Sequence, residues 1–327
     1  MLKVTNLTKK YSSNLAVDNL SMTLEPGRVY GFLGPNGAGK STTLNMITGC
    51  LGPTSGTVEI NGYDISREPR AAKSYIGYLP EFPPLYEEMT VGEYLEFVYD
   101  LKGLGNSIRD KKEYEMHRRE TVADAVSMCR LESVENRLIR NLSKGFKQRT
   151  GVAQAVIGKP EIIILDEPTV GLDPAQLKDI RGLIRRLGRE HTVIFSSHIL
   201  SEVSAVCDYV YIISKGRLVA SDSVEELSRS FNRSQVLNIT IEGDEGDVEK
   251  LRKMPEISGC TISSDEGGVI NLRLTSGAGE DIRQKVLKFC GVNDIALLEI
   301  SSTKMSLEDI FMDLTAPDET DVPEKED

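Results

Sequence analysis

Residues 29–47 run from a short apolar stretch, Val29-Tyr30-Gly31-Phe32-Leu33, through Gly34-Pro35-Asn36-Gly37-Ala38-Gly39-Lys40-Ser41 into the helix-like Ser41-Thr42-Thr43-Leu44-Asn45-Met46-Ile47. The pattern G-x-x-x-x-G-K-S between a strand and a helix leaves little freedom in the fold around it. Its glycines let successive backbone N–H groups turn inward at the positive end of the helix, where they cradle phosphate oxygens. Lys40 is then expected to reach the β/γ-phosphates of a nucleotide, and the Ser41 hydroxyl to sit on Mg²⁺. A second apolar run, Ile162-Ile163-Ile164-Leu165, ends in two carboxylates, Asp166-Glu167. A buried strand that presents acids at its tip fits ligand binding beyond the carboxyl ends of a parallel sheet. Asp166 is expected to hold Mg²⁺ through its water shell. Glu167 is expected to polarise the water that attacks the terminal phosphate.

The surrounding pattern is α/β. LKVTNLTKKY and a strand pair around 17–24 precede the glycine-rich turn, TVEINGYDI follows it, and TVIFSSH at 192–198 is another apolar strand. Strands alternating with helices around such a turn imply a mostly parallel sheet. Between about 90 and 155 the period becomes helical. Val91, Tyr94, Leu95 and Val98 share a face, and Thr90 with Glu93 three residues on predicts a capping box. Beyond 230 the pattern resets to β-α-β-β-α-β, with strands in SQVLNITIEG, CTISSDE, VINLRLT and DIALLEISS and helices at about 246–254 and 278–290; this order predicts a small ferredoxin-like domain. The expected division is therefore 1–230, 231–315 and an acidic disordered tail at 316–327.

Charge follows the same boundary. Residues 1–230 carry 29 Lys+Arg and 29 Asp+Glu, whereas residues 231–327 carry 10 and 21, which accounts for the whole formal charge of -11. A neutral front and an acidic back weigh against nucleic acid as the main partner, because phosphate backbones attract clustered basic residues. No stretch approaches the ~18 consecutive apolar residues of a membrane span, and no signal peptide opens the chain. The five cysteines (Cys50, Cys129, Cys207, Cys260 and Cys290) are odd in number and widely spaced. They argue against a disulfide framework or a zinc ribbon and fit a reducing cytosol.

With these residues in place the chain resembles the nucleotide-binding subunits of ABC transporters. Leu142-Ser143-Lys144-Gly145-Phe146-Lys147-Gln148-Arg149 is similar to the family's signature LSGGQxQR. It keeps Ser143, Gly145 and Gln148 but places Lys144 at a glycine position. The resemblance implies that Ser143 and the amides at this helix start grip the γ-phosphate of ATP held by another subunit. It also implies that Asp173, in Gly171-Leu172-Asp173-Pro174, crosses the dimer interface, that His198 contacts the γ-phosphate, and that Tyr11 stacks on adenine. Gly34 to Ser41 and Thr42 would line the nucleotide. The family's Q-loop glutamine position holds Glu81, a carboxylate that can still ligate Mg²⁺ with Ser41 and Asp166 but donates no hydrogen bond unless protonated. Ser306-Leu307-Glu308-Asp309-Ile310-Phe311 looks like the SLEDxF ending of ATPase subunits in bacterial drug, antibiotic and lipid exporters.

What the resemblance implies is a P-loop NTPase cassette with an antiparallel β-subdomain and a helical subdomain. Its function would be that of an ATP-hydrolysing motor on the inner face of the cell membrane. One P-loop and one signature per chain require a second nucleotide-binding subunit, and two competent half-sites lean toward a homodimer with two ATP-Mg²⁺ between head-to-tail copies. Transport would need a separate integral-membrane permease docking near Glu81 and the 83–100 stretch. The competing readings are a soluble ABC ATPase acting on ribosome or DNA and a catalytically silent scaffold. The single cassette and the charge balance disfavour the first; intact Lys40, Asp166, Glu167 and His198 disfavour the second.

Overall fold

The computed structural model describes residues 1–12, 14–231, 235–276 and 282–304. They form two compact units, Met1–Ser223 and Val224 onward. The first opens on a hairpin of β1 (Leu2–Tyr11) and β2 (Asn14–Leu24), paired so that Leu2 faces Leu24 and Tyr11 faces Asn14. Where two strands were expected around 17–24 there is one, kept continuous because Val17, Leu20, Met22 and Leu24 all turn to the core. β3 (Val29–Leu33) belongs to a different sheet and is buried at all five positions, as a parallel strand covered on both faces must be. After the glycine-rich turn, α1 (Lys40–Ile47) buries Leu44, Met46 and Ile47. β4 (Ser55–Ile60) then returns to pair with β1, and β5 (Tyr63–Asp64) completes an antiparallel sheet of order β2-β1-β4-β5.

α2 (Pro69–Ser74) and β6 (Ile76–Leu79) lead into the helical segment of α3 (Val91–Lys102), α4 (Lys111–Cys129) and α5 (Lys144–Val156). The predicted capping box is present: Thr90 Oγ1 accepts from Glu93 N, and Glu93 Oε2 accepts from Thr90 N at 2.8 Å. α4 buries only Val122, Ala125, Val126 and Cys129 toward its C-terminus, which leaves its charge-rich first half to solvent.

β7 (Ile162–Leu165), α6 (Pro174–Leu187), β8 (Thr192–Ser197), α7 (Leu200–Ser204), β9 (Tyr209–Ser214) and β10 (Arg217–Ser223) complete the unit. The larger sheet has the order β10-β9-β3-β8-β7-β6, parallel except for β10 at one edge. Leu2, Val4, Phe32, Leu44, Ile162 and Ile194 belong to one apolar cluster that joins the two sheets and α1. The consequence for chemistry lies in the order β3-β8-β7. Three strands distant in sequence are neighbours, so the residues following their C-terminal ends, Gly34, His198 and Asp166, emerge side by side.

The second unit begins with α8 (Val224–Phe231) and continues through β11 (Gln235–Glu242), α9 (Glu245–Arg252), β12 (Ile257–Glu266), β13 (Val269–Ser276), α10 (Arg283–Val292) and β14 (Ala296–Lys304). Its strands form an antiparallel sheet of order β12-β13-β11-β14. β13 alternates partly buried and buried positions along its whole length, the period of a sheet with one face on a core. Leu237, Ile239, Ile241, Leu272 and Leu274 meet Val248, Leu251 and Val286 from the helices in that core. Ser306–Phe311 and the acidic tail lie outside the described residues. Among the described residues no helix is long and apolar enough to cross a membrane.

Candidate active site

The turn after β3 is held where only glycine fits. A Cβ on Gly34 would sit 2.4 Å from Ile213 O, and one on Gly39, at φ +101°, 2.5 Å from Ala16 O. Both are closer than carbon can approach oxygen, so the turn lies directly against backbone just before the start of α1. Lys40 is only 6% exposed. Its three ammonium protons have three acceptors: Gly34 O at 2.8 Å, Pro35 O at 3.2 Å and Glu167 Oε1 at 3.2 Å. A buried cation matched to a buried carboxylate is costly to assemble, so it is weak evidence of a stabilising device and better read as chemistry kept in place.

Asp166 and Glu167 leave the tip of β7 in different directions. Asp166 is buried, donates its backbone N–H to Leu79 O at 2.9 Å, and receives the Ser196 hydroxyl on Oδ1 at 2.6 Å. Burial raises its pKa above the ordinary carboxylate value, against the opposing pull of hydrogen bonds from Ser196 and Ser41; the neighbouring Glu167 adds to the rise and Lys40 opposes it. Glu167 adopts φ +46°, a left-handed backbone that costs a non-glycine residue about 1 kcal/mol. The turn is secured by Glu167 N donating to Ser196 Oγ at 2.8 Å. It aims the carboxylate back across the sheet, where Oε2 meets His198 Nδ1 at 3.0 Å while Oε1 meets Lys40. Lys40, Glu167 and His198 thus form a continuous chain of contacts, and Ser41 joins Asp166 beside it.

A cavity of about 740 Å³ opens over this chain, lined by Asn36, Gly37, Gly39, Lys40, Ser41, Thr42, Glu81, Glu167 and His198 with Tyr11 at one side. Tyr11 is 46% exposed at the end of β1, with Lys9 Nζ 5.2 Å from its ring centre. Gly34, Pro35 and Ala38 are not among the lining residues; the first two act through the carbonyls that hold Lys40. The other expected residues lie away from this cavity. Ser143 is the N-cap residue of α5 yet makes no side-chain capping bond, so its exposed hydroxyl is not spent on its own helix. Gly145 packs against the Gln176 side chain, Gln148 is buried in α5, and Asp173 caps α6 by accepting from Gln176 N at 2.9 Å. Lys144, at the departing signature position, lays its ammonium over Gly171. Sequence reasoning missed Ser196, which secures both acids, and Leu15, Ala16, Lys215 and Gly216, which line the cavity near Tyr11. Ser196 had a readable signal: a hydroxyl at the end of an apolar strand neighbouring the acidic one.

A sequence profile described as ABC transporter matches residues 17–170. The bacitracin transport ATP-binding protein BcrA of Bacillus licheniformis is 34% identical over 316 residues, covering 96% of this chain and 97% of that protein. The chain belongs to the ABC transporter family. The linearmycin resistance ATP-binding protein LnrL of Bacillus subtilis is 30% identical, with 96% of this chain and 98% of that protein covered. Among solved structures, an ATP-binding subunit of an ABC transporter superposes with a TM-score of 0.61 at 29% identity, over 71% of this chain and 93% of that one. A dimeric ATP-binding cassette in a post-hydrolysis state with ADP and phosphate gives 0.61 at 26% identity, over 68% and 99%.

This ABC subunit is an ATP-binding protein and an ATPase, and its site fits that substrate. The backbone cradle that admits no Cβ suits phosphate, and the buried Lys40 supplies a cation at its floor. Among the described residues no three His, Cys, Asp or Glu side chains stand close enough to hold a metal ion by themselves. Mg²⁺, which keeps most of its water and shares ligands with phosphates, asks for no such cage. The adjacent Ser41 hydroxyl and Asp166 carboxylate match it.

Proposed function

We propose that this ABC ATPase drives export through a separate membrane permease, pairing head-to-tail with a second copy so that two ATP molecules lie between P-loop and signature faces. The observation that carries the reading is the division of the site. Lys40, Ser41, Glu167 and His198 converge on one cavity, with Asp166 joined to it through Ser41, while Ser143, with a hydroxyl unused by its own helix, stands elsewhere on the same chain. Each face needs the complement of the other, which a two-fold dimer supplies. The relatives named for bacitracin transport and linearmycin resistance, and the dimeric structural neighbour, support the same assembly and the direction of transport.

Lys40 holds the β/γ-phosphate oxygens, its hydrogen bonds to Gly34 and Pro35 keeping the ammonium at the cradle floor. Ser41 and Asp166 hold Mg²⁺, with Glu81 at the cavity edge as a further oxygen ligand. When bound, the metal neutralises charge that develops on the phosphoryl oxygens. Tyr11 offers its exposed ring to the adenine. Glu167 takes the proton of the attacking water, and His198 orients that carboxylate through the 3.0 Å contact and donates toward the terminal phosphate. Ser143 with the α5 amides, Gly145 and Gln148 closes over the partner's nucleotide, and Asp173 lies at the interface between subunits. Binding of two nucleotides closes the pair, and hydrolysis with loss of phosphate reopens it. The second unit we read as a ferredoxin-like accessory domain, on its strand order, and the whole subunit as peripheral on the cytoplasmic face of the membrane.

Purification of tagged Glu167→Gln protein from detergent-solubilised native membranes in Mg²⁺-ATP tests this. The substitution slows hydrolysis and holds the closed complex, so a multi-span permease is expected at stoichiometric yield. Recovery with ribosomes or DNA instead, or as a lone soluble protein, would overturn the transport assignment.

A further inference from the structure

Glu202 is 3% exposed, and among the described residues no Lys, Arg or His lies within ion-pair distance of it. Burying a carboxyl group without a cation is costly unless hydrogen bonds compensate. Here one oxygen receives both: Oε2 accepts the Thr169 hydroxyl at 2.6 Å and the Ser197 hydroxyl at 2.9 Å. Thr169 and Ser197 are themselves buried. They belong to different segments, a loop and the end of β8. Thr169 lies two residues past Glu167, and Ser197 immediately precedes His198.

We propose that Glu202 is the positioning residue that sets Glu167 and His198 at their working distance. The inference rests on reading those two as the hydrolytic pair. Their loops have little packing to fix them, since Val170 and Ile199 are each 41% exposed and the His198 side chain is 37% exposed. The fixed point is underneath. Successive residues of β8 face opposite sides, so Ser196 turns to Asp166 and the Glu167 amide while Ser197 turns to Glu202. Ser197 Oγ also accepts from Ile199 N at 3.0 Å, which folds the backbone around His198 onto the same node. One carboxyl oxygen at the start of α7 thereby ties the loop carrying the base to the loop carrying the histidine. The tie also reaches the segment that runs on to Asp173. The cradle depends on it less directly: Lys40 keeps the carbonyls of Gly34 and Pro35 and Ser41 keeps Asp166, while its links to the tie are the Lys40–Glu167 contact and the bond from Gly34 N to Ser197 O at 3.4 Å. Loss of the tie therefore acts more on the chemical step than on nucleotide binding.

The test is steady-state ATPase kinetics on the full chain, with melting temperatures recorded for each variant. Glu202→Ala is expected to lower kcat about 10- to 100-fold, the scale of a small misplacement at a reacting centre, with KM within about 3-fold of wild type. Glu202→Gln keeps a carbonyl oxygen for both hydroxyls and should retain most of the rate, which a role as bare charge would not allow; bulk packing is tested by Ser197→Ala and Thr169→Val, which leave the Glu202 side chain in place. Ser197→Ala should cost several-fold alone and nothing further on top of Glu202→Ala, the non-additivity of a shared contact. A folded Glu202→Ala enzyme with wild-type kcat would overturn the proposal, as would equal losses in the Gln and Ala variants or a KM rising in step with the fall in kcat. If Glu202→Ala fails to fold, Thr169→Val and Ser197→Ala decide, and full rates in both overturn it. Glu167→Gln is run alongside. Activity surviving there brings down the site reading itself, whereas an inactive Glu167→Gln beside an active Glu202→Ala brings down only the role of Glu202.

Discussion

The two units of this chain are built to opposite rules. In the first, polar and charged groups are driven into the interior at the strand ends: Lys40, Asp166, Glu167, Thr169, Ser196, Ser197 and Glu202 are all buried. In the second, among the described residues, Ser276 is the one buried polar side chain, and the core is aliphatic. Burying polar groups costs stability unless each is satisfied. The first unit meets that cost by pairing them with one another, which fixes their geometry. Among the described residues the second avoids the cost and holds no comparable convergence of groups. The difference marks the strand ends of the first unit as a place built for chemistry.

The largest break in this contrast comes from the polar side. Glu167→Gln removes the proposed proton acceptor, so kcat should fall about 10²- to 10³-fold with KM little changed, as measured by steady-state ATP hydrolysis. An equivalent insult to the aliphatic side should leave hydrolysis alone. Leu272→Ala opens a cavity in a fully apolar core and should cost about 2–5 kcal/mol in denaturant unfolding. ATPase activity of the folded protein at 25 °C should then match wild type. A fall in kcat with that variant would show that the second unit takes part in the cycle.

Much of the first unit was readable because its chemistry is local in sequence. Gly34 and Gly39 are needed where backbone crowds the turn, and Lys40 and Ser41 follow in the first turn of α1. Asp166 and Glu167 announced themselves by ending an apolar run. What could not be read was the partnership across strands. The neighbourhood β3-β8-β7 depends on crossovers, so nothing local tells that Ser196 serves Asp166 while Ser197 serves Glu202. Nor does spacing reveal that Lys40 shares Glu167 with His198. Tyr11 was placed by family resemblance alone, since a tyrosine at a strand end has no distinguishing pattern.

Tyr11 gives the next smaller effect. Its ring is exposed at the cavity edge and contacts nothing on which folding depends, so Tyr11→Ala should raise the KM for ATP about 5-fold, near the lower end for an aromatic–base stack. Tyr11→Phe should restore it. An unchanged KM in Tyr11→Ala would place the adenine elsewhere in the cavity, against Leu15 or Ala16.

The smallest effect contrasts the two units by sign. Burial raises the pKa of Asp166, so as pH rises from the ordinary carboxylate value, near 3.9, through that raised value, the native protein gives up a proton that the unfolded chain has already lost. Stability falls across that window, and the full penalty persists at neutral pH. Asp166→Asn removes it and keeps an acceptor for Ser196, so the variant should melt higher at pH 7 than the wild type, with the gap closing toward acid. In the second unit, Asp247 is pulled below the ordinary value by the Lys250 ammonium and then by the Asp244 backbone N–H, in the capping box of α9. Its contribution is present above the ordinary pKa and lost as pH falls through the lowered one, so Asp247→Asn should destabilise slightly at neutral pH, with the gap again closing in acid. Thermal melts of both variants from pH 3 to 7 read the two signs directly. A polar group strained into place for chemistry and one placed for folding should respond to the same neutralisation in opposite directions, and a shared sign would show that Asp166 is held as comfortably as any surface cap.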